Sequence, residues 1–273
     1  MTDLQLSTPY ETVNVHRGGG AAKIELNRPD ALNAWNRQLG IDLLAAVSEV
    51  ADDDSVRAVM VTGAGRGFSS GADLKDLSGR EERTAEGHPN VHKVLTERYH
   101  PIIRQIRTMP KPVLAAVNGP AVGIGMSLAL AADLVVAKES AYFLLAFVNI
   151  GLVPDGGSSL FVPSRIGFAR AAEMAMLGER VPAPQALEWG LINRVLPDAG
   201  FDRDAHALLE RLASGPTRSF AGTKRQLNSW LYTRMEEQLE LEADVQQEMA
   251  GSRDFVEGVL AFVEKRQAAF EGS

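Results

Sequence analysis

Two spacings alternate along the first two-thirds of the chain. Short runs rich in Val and Ile, bounded by Gly, Asn, Pro or Asp, predict strands at Glu11–His16, Ala22–Leu26, Arg57–Thr62, Val113–Val117 and Asp133–Ala137. Between them, apolar residues return at helical spacing. Leu39, Leu43, Val47 and Val50 predict a helix capped by Asn33 and ending near Asp52. A second helix is predicted over Leu95–Met109, stopped by Pro110. A third follows Gly123–Gly125 and runs through Met126 to Ala132. This alternation predicts an α/β architecture. Gly79–Asn90 is polar and lacks periodicity, which predicts a surface loop.

From about Gly200 the pattern changes. Phe201–Ala213, Pro216–Tyr232, Met235–Ala250 and Asp254–Phe270 all read as helices, with no strand-like run among them. The last has a broad apolar face of Phe255, Val259, Phe262, Val263 and Phe270. The expected division is a core over 1–200 and a helical region over 201–273 that packs on the core or on another subunit.

Composition narrows the function classes. The 273 residues carry 45% hydrophobic and 23% charged side chains, an ordinary globular balance. The absence of cysteine excludes disulfides, thiolate metal sites and Cys nucleophiles, and suits a reducing cytoplasm. No apolar run approaches a membrane span, and the first residues lack the basic start and apolar core of a signal peptide. The expected location is cytoplasmic. A net charge of −7 argues against generic nucleic-acid binding and sits awkwardly with any anionic ligand.

Three glycine-rich motifs carry candidate chemistry. Gly67-Phe68-Ser69-Ser70-Gly71 matches the serine-hydrolase elbow G-x-S-x-G, but Gly63–Arg66 separate it from the preceding strand, whereas the elbow needs the strand to run into the serine. His206, the partner that chain order would require, lies in a plain helical pattern. Gly63-Ala64-Gly65-Arg66-Gly67 lacks the Lys-Ser/Thr of a P-loop. Gly123-Ile124-Gly125 lacks the third glycine of a dinucleotide fingerprint. Taken together, the turns at 68–74 and 119–125 could each present a main-chain N–H to a ligand. The second would be helped by the positive end of a helix. Two such donors suit a developing oxyanion, and losing one typically costs ~3–4 kcal/mol of transition-state stabilisation. From glycine content alone, simple tight turns are the plainer reading.

Several segments resemble the enoyl-CoA hydratase/isomerase (crotonase) family. They are Leu26-Asn27-Arg28-Pro29 with Ala31-Leu32-Asn33, Phe68 to Leu74, Ala116 to Gly125, Gly151-Leu152-Val153-Pro154-Asp155-Gly156-Gly157, Ala186 to Ile192, and Asp254 to Arg266. They follow the family's order over nearly the whole chain. The resemblance implies a spiral of ββα units with a C-terminal helical trimerisation region, and a trimer or a hexamer made of two trimers. It implies an acyl-CoA thioester substrate, with coenzyme A arriving as part of the substrate and no separate cofactor or metal. The backbone N–H groups of Ala72 and Ile124 would form the oxyanion hole. Arg28, Ala31, Ser70, Asp73 and Leu74 would line the CoA site with Gly123 beside them. Phe262 and Lys265 match an element that often touches CoA from a neighbouring subunit.

The family's hydratases add water with two glutamates. At those positions this chain has Ser127 and Phe147. Phe147 cannot exchange a proton, and Ser127 cannot do so near neutral pH without an activating base. Asp155 matches the carboxylate of the isomerase branch, including the epoxyphenylacetyl-CoA isomerases. Its apolar flank would raise its pKa and strengthen it as a base. Alone, Asp155 reads as a cap for a helix starting near Ser158. With the resemblance, it becomes the proton shuttle of an enoyl-CoA double-bond isomerase. A hydratase or other lyase reaction, and a non-catalytic acyl-CoA or RNA binder, remain as alternatives. His16, His88, His92, His100 and His206 show no metal-ligand spacing, and His88 and His92 read as loop residues.

Overall fold

In the computed structural model, which describes residues 3–74 and 83–273, ten strands form two sheets. The strands are β1 (Gln5–Pro9), β2 (Val13–Gly18), β3 (Ala21–Leu26), β4 (Ala58–Gly63), β5 (Val113–Val117), β6 (Ala121–Val122), β7 (Leu134–Lys138), β8 (Tyr142–Leu144), β9 (Val181–Pro182) and β10 (Arg194–Leu196). The main sheet has the order β1-β2-β3-β4-β5-β7-β10 and the small one β6-β8-β9. β1 to β3 pair antiparallel, and β3, β4, β5, β7 and β10 pair parallel. β4 and β5 are buried at every position, as parallel strands covered on both faces must be. Their side chains alternate between two cores. Val59 and Val61 face one, while Ala58 and Met60 face the other.

The described helices are α1 (Arg37–Asp52), α2 (Val91–Val94), α3 (His100–Thr108), α4 (Ile124–Ala131), α5 (Ser158–Leu177), α6 (Ala183–Glu188), α7 (Phe201–Ala213), α8 (Thr217–Leu231), α9 (Met235–Ala250) and α10 (Arg253–Glu264). The ββα repeat recurs as β2-β3-α1, β5-β6-α4 and β7-β8-α5. α7 lays Phe201, Ala205, Leu209 and Ala213 on the second face of the sheet, against Met60, Leu114 and Val136.

Several expectations are corrected. Asn36, not Asn33, caps α1, accepting from Leu39 N at 2.9 Å. Asn33 has a positive φ and a different task. It accepts from Arg28 N at 2.9 Å and donates to Ala64 O at 3.0 Å and Gly67 O at 2.8 Å, tying two loops together. The helix expected over Leu95–Met109 starts earlier and is interrupted by a π turn at Leu95–Tyr99. Pro101 has no N–H to close an α-helical ladder there, and His100 N bonds back to Leu95 O instead. The last helix ends at Glu264, well before Phe270, and Lys265 closes it in a left-handed conformation. The strands β1, β6, β8, β9 and β10 have no sequence counterpart above because they are short or exposed. Of the polar segment Gly79–Asn90, residues 79–82 lie outside the described residues. Arg83 pairs with Pro89 around a turn in the remainder.

Candidate active site

The two glycine turns meet. Asn118, just after β5, accepts from Gly63 N at 3.2 Å and donates to Gly65 O at 3.0 Å. Ser69 N donates to Pro120 O and Val122 N to Ser69 O, both at 2.9 Å. Asn33, Asn118 and these backbone bonds lock the loops after β3, β4 and β5 into one unit. Ser69 itself is fully buried and its hydroxyl donates to Asn33 O, so it holds the loops and is no exposed nucleophile.

Ala72 forms a parallel bridge with Trp35, in which Trp35 N donates to Gly71 O and Asp73 N to Trp35 O. Its own N–H points out of that bridge and meets no backbone acceptor among the described residues. Ile124 is the first residue of α4, where helical N–H groups lack an acceptor by construction. A Cβ built on Gly71 would lie 3.0 Å from Val122 O, and one on Gly123 would lie 3.9 Å from Gly71 Cα. The residues preceding Ala72 and Ile124 are therefore in contact. Gly123 has φ 52 and ψ −128, a conformation open essentially to glycine alone.

Asp155 closes the third side. A Cβ on the following Gly156 would strike Ile124 Cδ1 at 2.3 Å, so this turn presses directly on the α4 N-terminus. Gly156 and Gly157 both have positive φ, which lets the chain turn from Asp155 into α5. The Asp155 carbonyl accepts from Ser127 Oγ at 2.7 Å and from Ser158 N and Oγ at 3.1 and 2.8 Å. Its carboxylate Oδ2 accepts from Gln246 Nε2 at 2.7 Å. Oδ1 is buried and has no hydrogen-bond partner among the described residues. Burial, then the charge of Glu242, push the carboxyl up to about 8, against the opposing pull of the Gln246 hydrogen bond. Its neighbour Glu242 is raised to about 7 by burial, although Ser159 Oγ and the N–H groups of Gly157 and Ser159 all donate to it.

The raised carboxyl has a consequence for stability. The folded state holds the Asp155 proton far more tightly than the unfolded chain, whose ordinary value is 3.8. Its contribution is fully present below about pH 4 and erodes as pH rises through about 8, where a buried charge must form. Asp155→Asn should therefore unfold at higher denaturant than the wild type at pH 8, by an amount on the order of a few kcal/mol, and at nearly the same denaturant near pH 4.

The positions of the hydratase glutamates are filled otherwise. Ser127 is fully buried, and its hydroxyl is committed to the Asp155 carbonyl. Phe147 is buried, with its ring edge 3.8 Å from where a Gly123 Cβ would be. Around the other side of the cluster, Arg28 pairs with Asp73 Oδ2 at 3.1 Å and donates to Ala34 O. Ser70 Oγ donates to Ala31 O at 3.3 Å. Arg28, Ala31, Ser70, Ala72, Asp73 and Leu74 are all half-buried. Phe262 and Lys265, at the end of α10, are exposed, and no hydrogen bond or ion pair among the described residues draws them to the cluster.

Glu242 and Gln246 were not among the expected site residues. A signal exists, however. The buried stripe of α9 runs Met235, Leu239, Glu242, Ala243, Gln246 and Ala250, so two polar residues occupy apolar-face positions. His92 also needs correction. It lies in α2, not a loop, with Nε2 at 3.2 Å from Glu240 and 3.5 Å from Asp244, two exposed carboxylates of α9. The set could offer ligand atoms to a metal ion, and as it stands it pins α2 to α9. A groove of about 1230 Å³ elsewhere, between α8 and the strand starts, contains none of Ala72, Ile124 or Asp155. Its buried cations are committed internally. Lys111 caps α1 at Val50 O and Asp53 O, and Lys224 bonds Ile106 O and Asp133. Geometry therefore favours the glycine-turn cluster as the reactive site.

Comparison with known proteins shows the family and the fold. Residues 16–273 match the family described as enoyl-CoA hydratase/isomerase. A probable enoyl-CoA hydratase of Rhodobacter capsulatus is 43% identical over 96% of this chain and 99% of its own length. The 1,2-epoxyphenylacetyl-CoA isomerase of Escherichia coli is 38% identical over the same shares. The crystal structure of an enoyl-CoA hydratase from Mycobacterium avium subsp. paratuberculosis superposes with a TM-score of 0.87 at 39% identity, covering 96% of this chain and all of that one.

Proposed function

Because this chain belongs to the enoyl-CoA hydratase/isomerase family, we propose that Asp155 carries a proton along an enoyl-CoA thioester and so moves its double bond. The chain is an acyl-CoA-processing enzyme with the crotonase fold. Which reaction it runs turns on the acid–base groups beside the oxyanion donors.

In the proposed step, the N–H groups of Ala72 and Ile124 receive the thioester oxygen. Asp155 Oδ1 removes a proton from the carbon between the thioester and the 3,4 double bond. The electron pair moves toward the thioester, whose oxygen takes up the negative charge as a dienolate. Asp155, now protonated, returns the proton to the fourth carbon, and the double bond comes to rest in conjugation at 2,3. One carboxylate thus acts first as base and then as acid, and no atom is gained or lost. A base with a pKa near the working pH suits both halves.

The observation that carries this reading is Asp155 Oδ1, a buried carboxylate oxygen without a hydrogen-bond partner among the described residues, in the turn whose Gly156 packs on Ile124 at the start of α4. The second carboxylate that paired-glutamate hydration would need is replaced by Phe147, and Ser127 Oγ is already committed as a donor. Conversion of a 3-enoyl-CoA to its 2-enoyl isomer, measured alongside hydration of a 2-enoyl-CoA, tests it. Isomerisation at least tenfold faster is expected. Faster hydration would favour the hydratase alternative, and tight CoA-ester binding without turnover would favour a non-catalytic binder.

The rest of the reading follows from the same family. Arg28, Ala31, Ser70, Asp73, Leu74 and Gly123 would contact the CoA portion, with Phe262 and Lys265 reaching a neighbouring subunit's ligand. Arg28 supplies a local cation in a chain of net charge −7. Residues 201–273 would form the oligomerisation region of a trimer or hexamer. Trp230 on α8, 82% exposed, supports such an interface. The step needs no cofactor beyond the thioester. Among the described residues no helix is long and apolar enough to cross a membrane.

A further inference from the structure

The polar pair on α9 sits directly behind the proposed shuttle. Glu242 and Gln246 are four residues apart, so they project from one face of the helix, one turn from each other. Both are almost fully buried, at 3% and 1% exposure. Gln246 grips the turn at two points. Its Oε1 accepts from Val153 N at 3.2 Å, and its Nε2 donates to Asp155 Oδ2 at 2.7 Å. The Val153 N–H can only donate, so it fixes which end of the amide faces Asp155. Glu242 grips the other side of the same turn, accepting from Gly157 N at 2.7 Å and from Ser159 N at 3.1 Å.

The placement of Glu242 has an electrostatic meaning. The N-terminus of α5 carries the positive end of the helical stretch that runs from Ser158 to the break at Gly167, which would stabilise a carboxylate placed there. Glu242 occupies that position and accepts from its free N–H groups. Asp155 is left with a single side-chain hydrogen bond and an unpartnered oxygen.

We propose that Glu242 and Gln246 are positioning residues for the Asp155 shuttle. Gln246 fixes one carboxylate oxygen so that the other faces the substrate, and Glu242 takes the helix end so that Asp155 stays a strong base. This rests on the reading of Asp155 as the proton carrier. Among the described residues, the other elements packed on Asp155 supply no competing charge. α4 presents Ile124 and Ser127, and α5 presents Ser158 and Ser159. Asp254, at the start of α10 behind Gly151, is turned to the C-terminal segment, where it accepts from Glu271 N and Gly272 N. Glu240 and Asp244 pair with His92 on the outer face of α9. Glu242 is the charge that reaches Asp155.

The two residues have opposite expected effects. A base must be ionised, so kcat/KM rises with pH through the Asp155 pKa. Glu242→Gln removes a negative neighbour and should move that limb down by about one pH unit, with a plateau several-fold lower. Gln246→Met removes the donor to the ionised carboxylate and should move the limb up, lowering kcat about tenfold with little change in KM. The carboxylic-acid infrared band lost in Asp155→Asn should titrate with the same opposite shifts in the resting enzyme. Variants that lose rate while limb and band stay at the wild-type pH would show a merely structural role and overturn the proposal. Should Glu242→Gln fail to fold, the upward shift in Gln246→Met decides alone. Wild-type turnover by Asp155→Asn would instead overturn the shuttle reading, whatever the band does.

Discussion

Asp155→Asn is expected to lower kcat for isomerisation of a 3-enoyl-CoA by roughly 10²–10⁴-fold, with KM within a few fold of the wild type. The substitution is nearly isosteric. Gln246 Nε2 can still donate to the asparagine carbonyl, and the Asp155 main-chain carbonyl keeps its bonds from Ser127 and Ser158. The proposed oxyanion donors, the N–H groups of Ala72 and Ile124, are main-chain groups and remain. What disappears is an oxygen able to hold a proton in the space beside them. Because the oxygen is buried, bulk water is a poor substitute, and the loss should be large. Steady-state kinetics on 3-enoyl-CoA checks it, with the pH 8 unfolding curve confirming a folded and more stable variant. A loss below threefold would remove Asp155 from the reaction.

The second large effect is expected at Gly123→Ala. A methyl there has room, since its nearest neighbours would be Phe147 Cζ at 3.8 Å and Gly71 Cα at 3.9 Å. The backbone does not. At φ 52 and ψ −128 an alanine is strained, and relief of strain must rotate the peptide that carries the Ile124 N–H. Loss of one oxyanion donor typically lowers rate by roughly 10²–10³-fold. The same loss is expected here in kcat/KM, with a melting temperature only modestly reduced. Near-normal turnover would mean that the Ile124 N–H is not aimed at the thioester oxygen. The two variants separate the parts of the mechanism, because one keeps the oxyanion hole and loses the base, and the other does the reverse.

Most of the scaffold was legible in the order of residues. β4, β5 and β7 announce themselves as Val-rich runs because they are buried on both faces over most of their length, and β2 and β3 by apolar residues that alternate with half-buried ones. Short edge strands such as β9 and β10 carry no such run. Asn33 illustrates a different limit. Its place before a helical pattern suggests a cap, but its side chain serves loops more than thirty residues away. The turns at 68–74 and 119–125 read from glycine content alone as tight turns, and their meeting through Ser69, Pro120 and Val122 is a tertiary contact that no local pattern announces. Asp155 was readable by its glycines and family position, but its burial was not. That burial comes from α9, where Glu242 and Gln246 reach across 85 and 91 residues of sequence to the same turn. Local pattern marks them only as polar residues on an apolar face. Their role depends on which turn that face meets, which is set by tertiary packing.

The central claim is that one buried carboxylate moves a proton from one carbon of the substrate to another. A 3-enoyl-CoA deuterated at the carbon next to the thioester, converted in a single turnover in ordinary water, tests it most directly. The account predicts a conjugated 2-enoyl thioester that has gained no water and carries part of the deuterium at its fourth carbon. A product with water added, or one whose fourth-carbon hydrogen comes wholly from solvent, would contradict it.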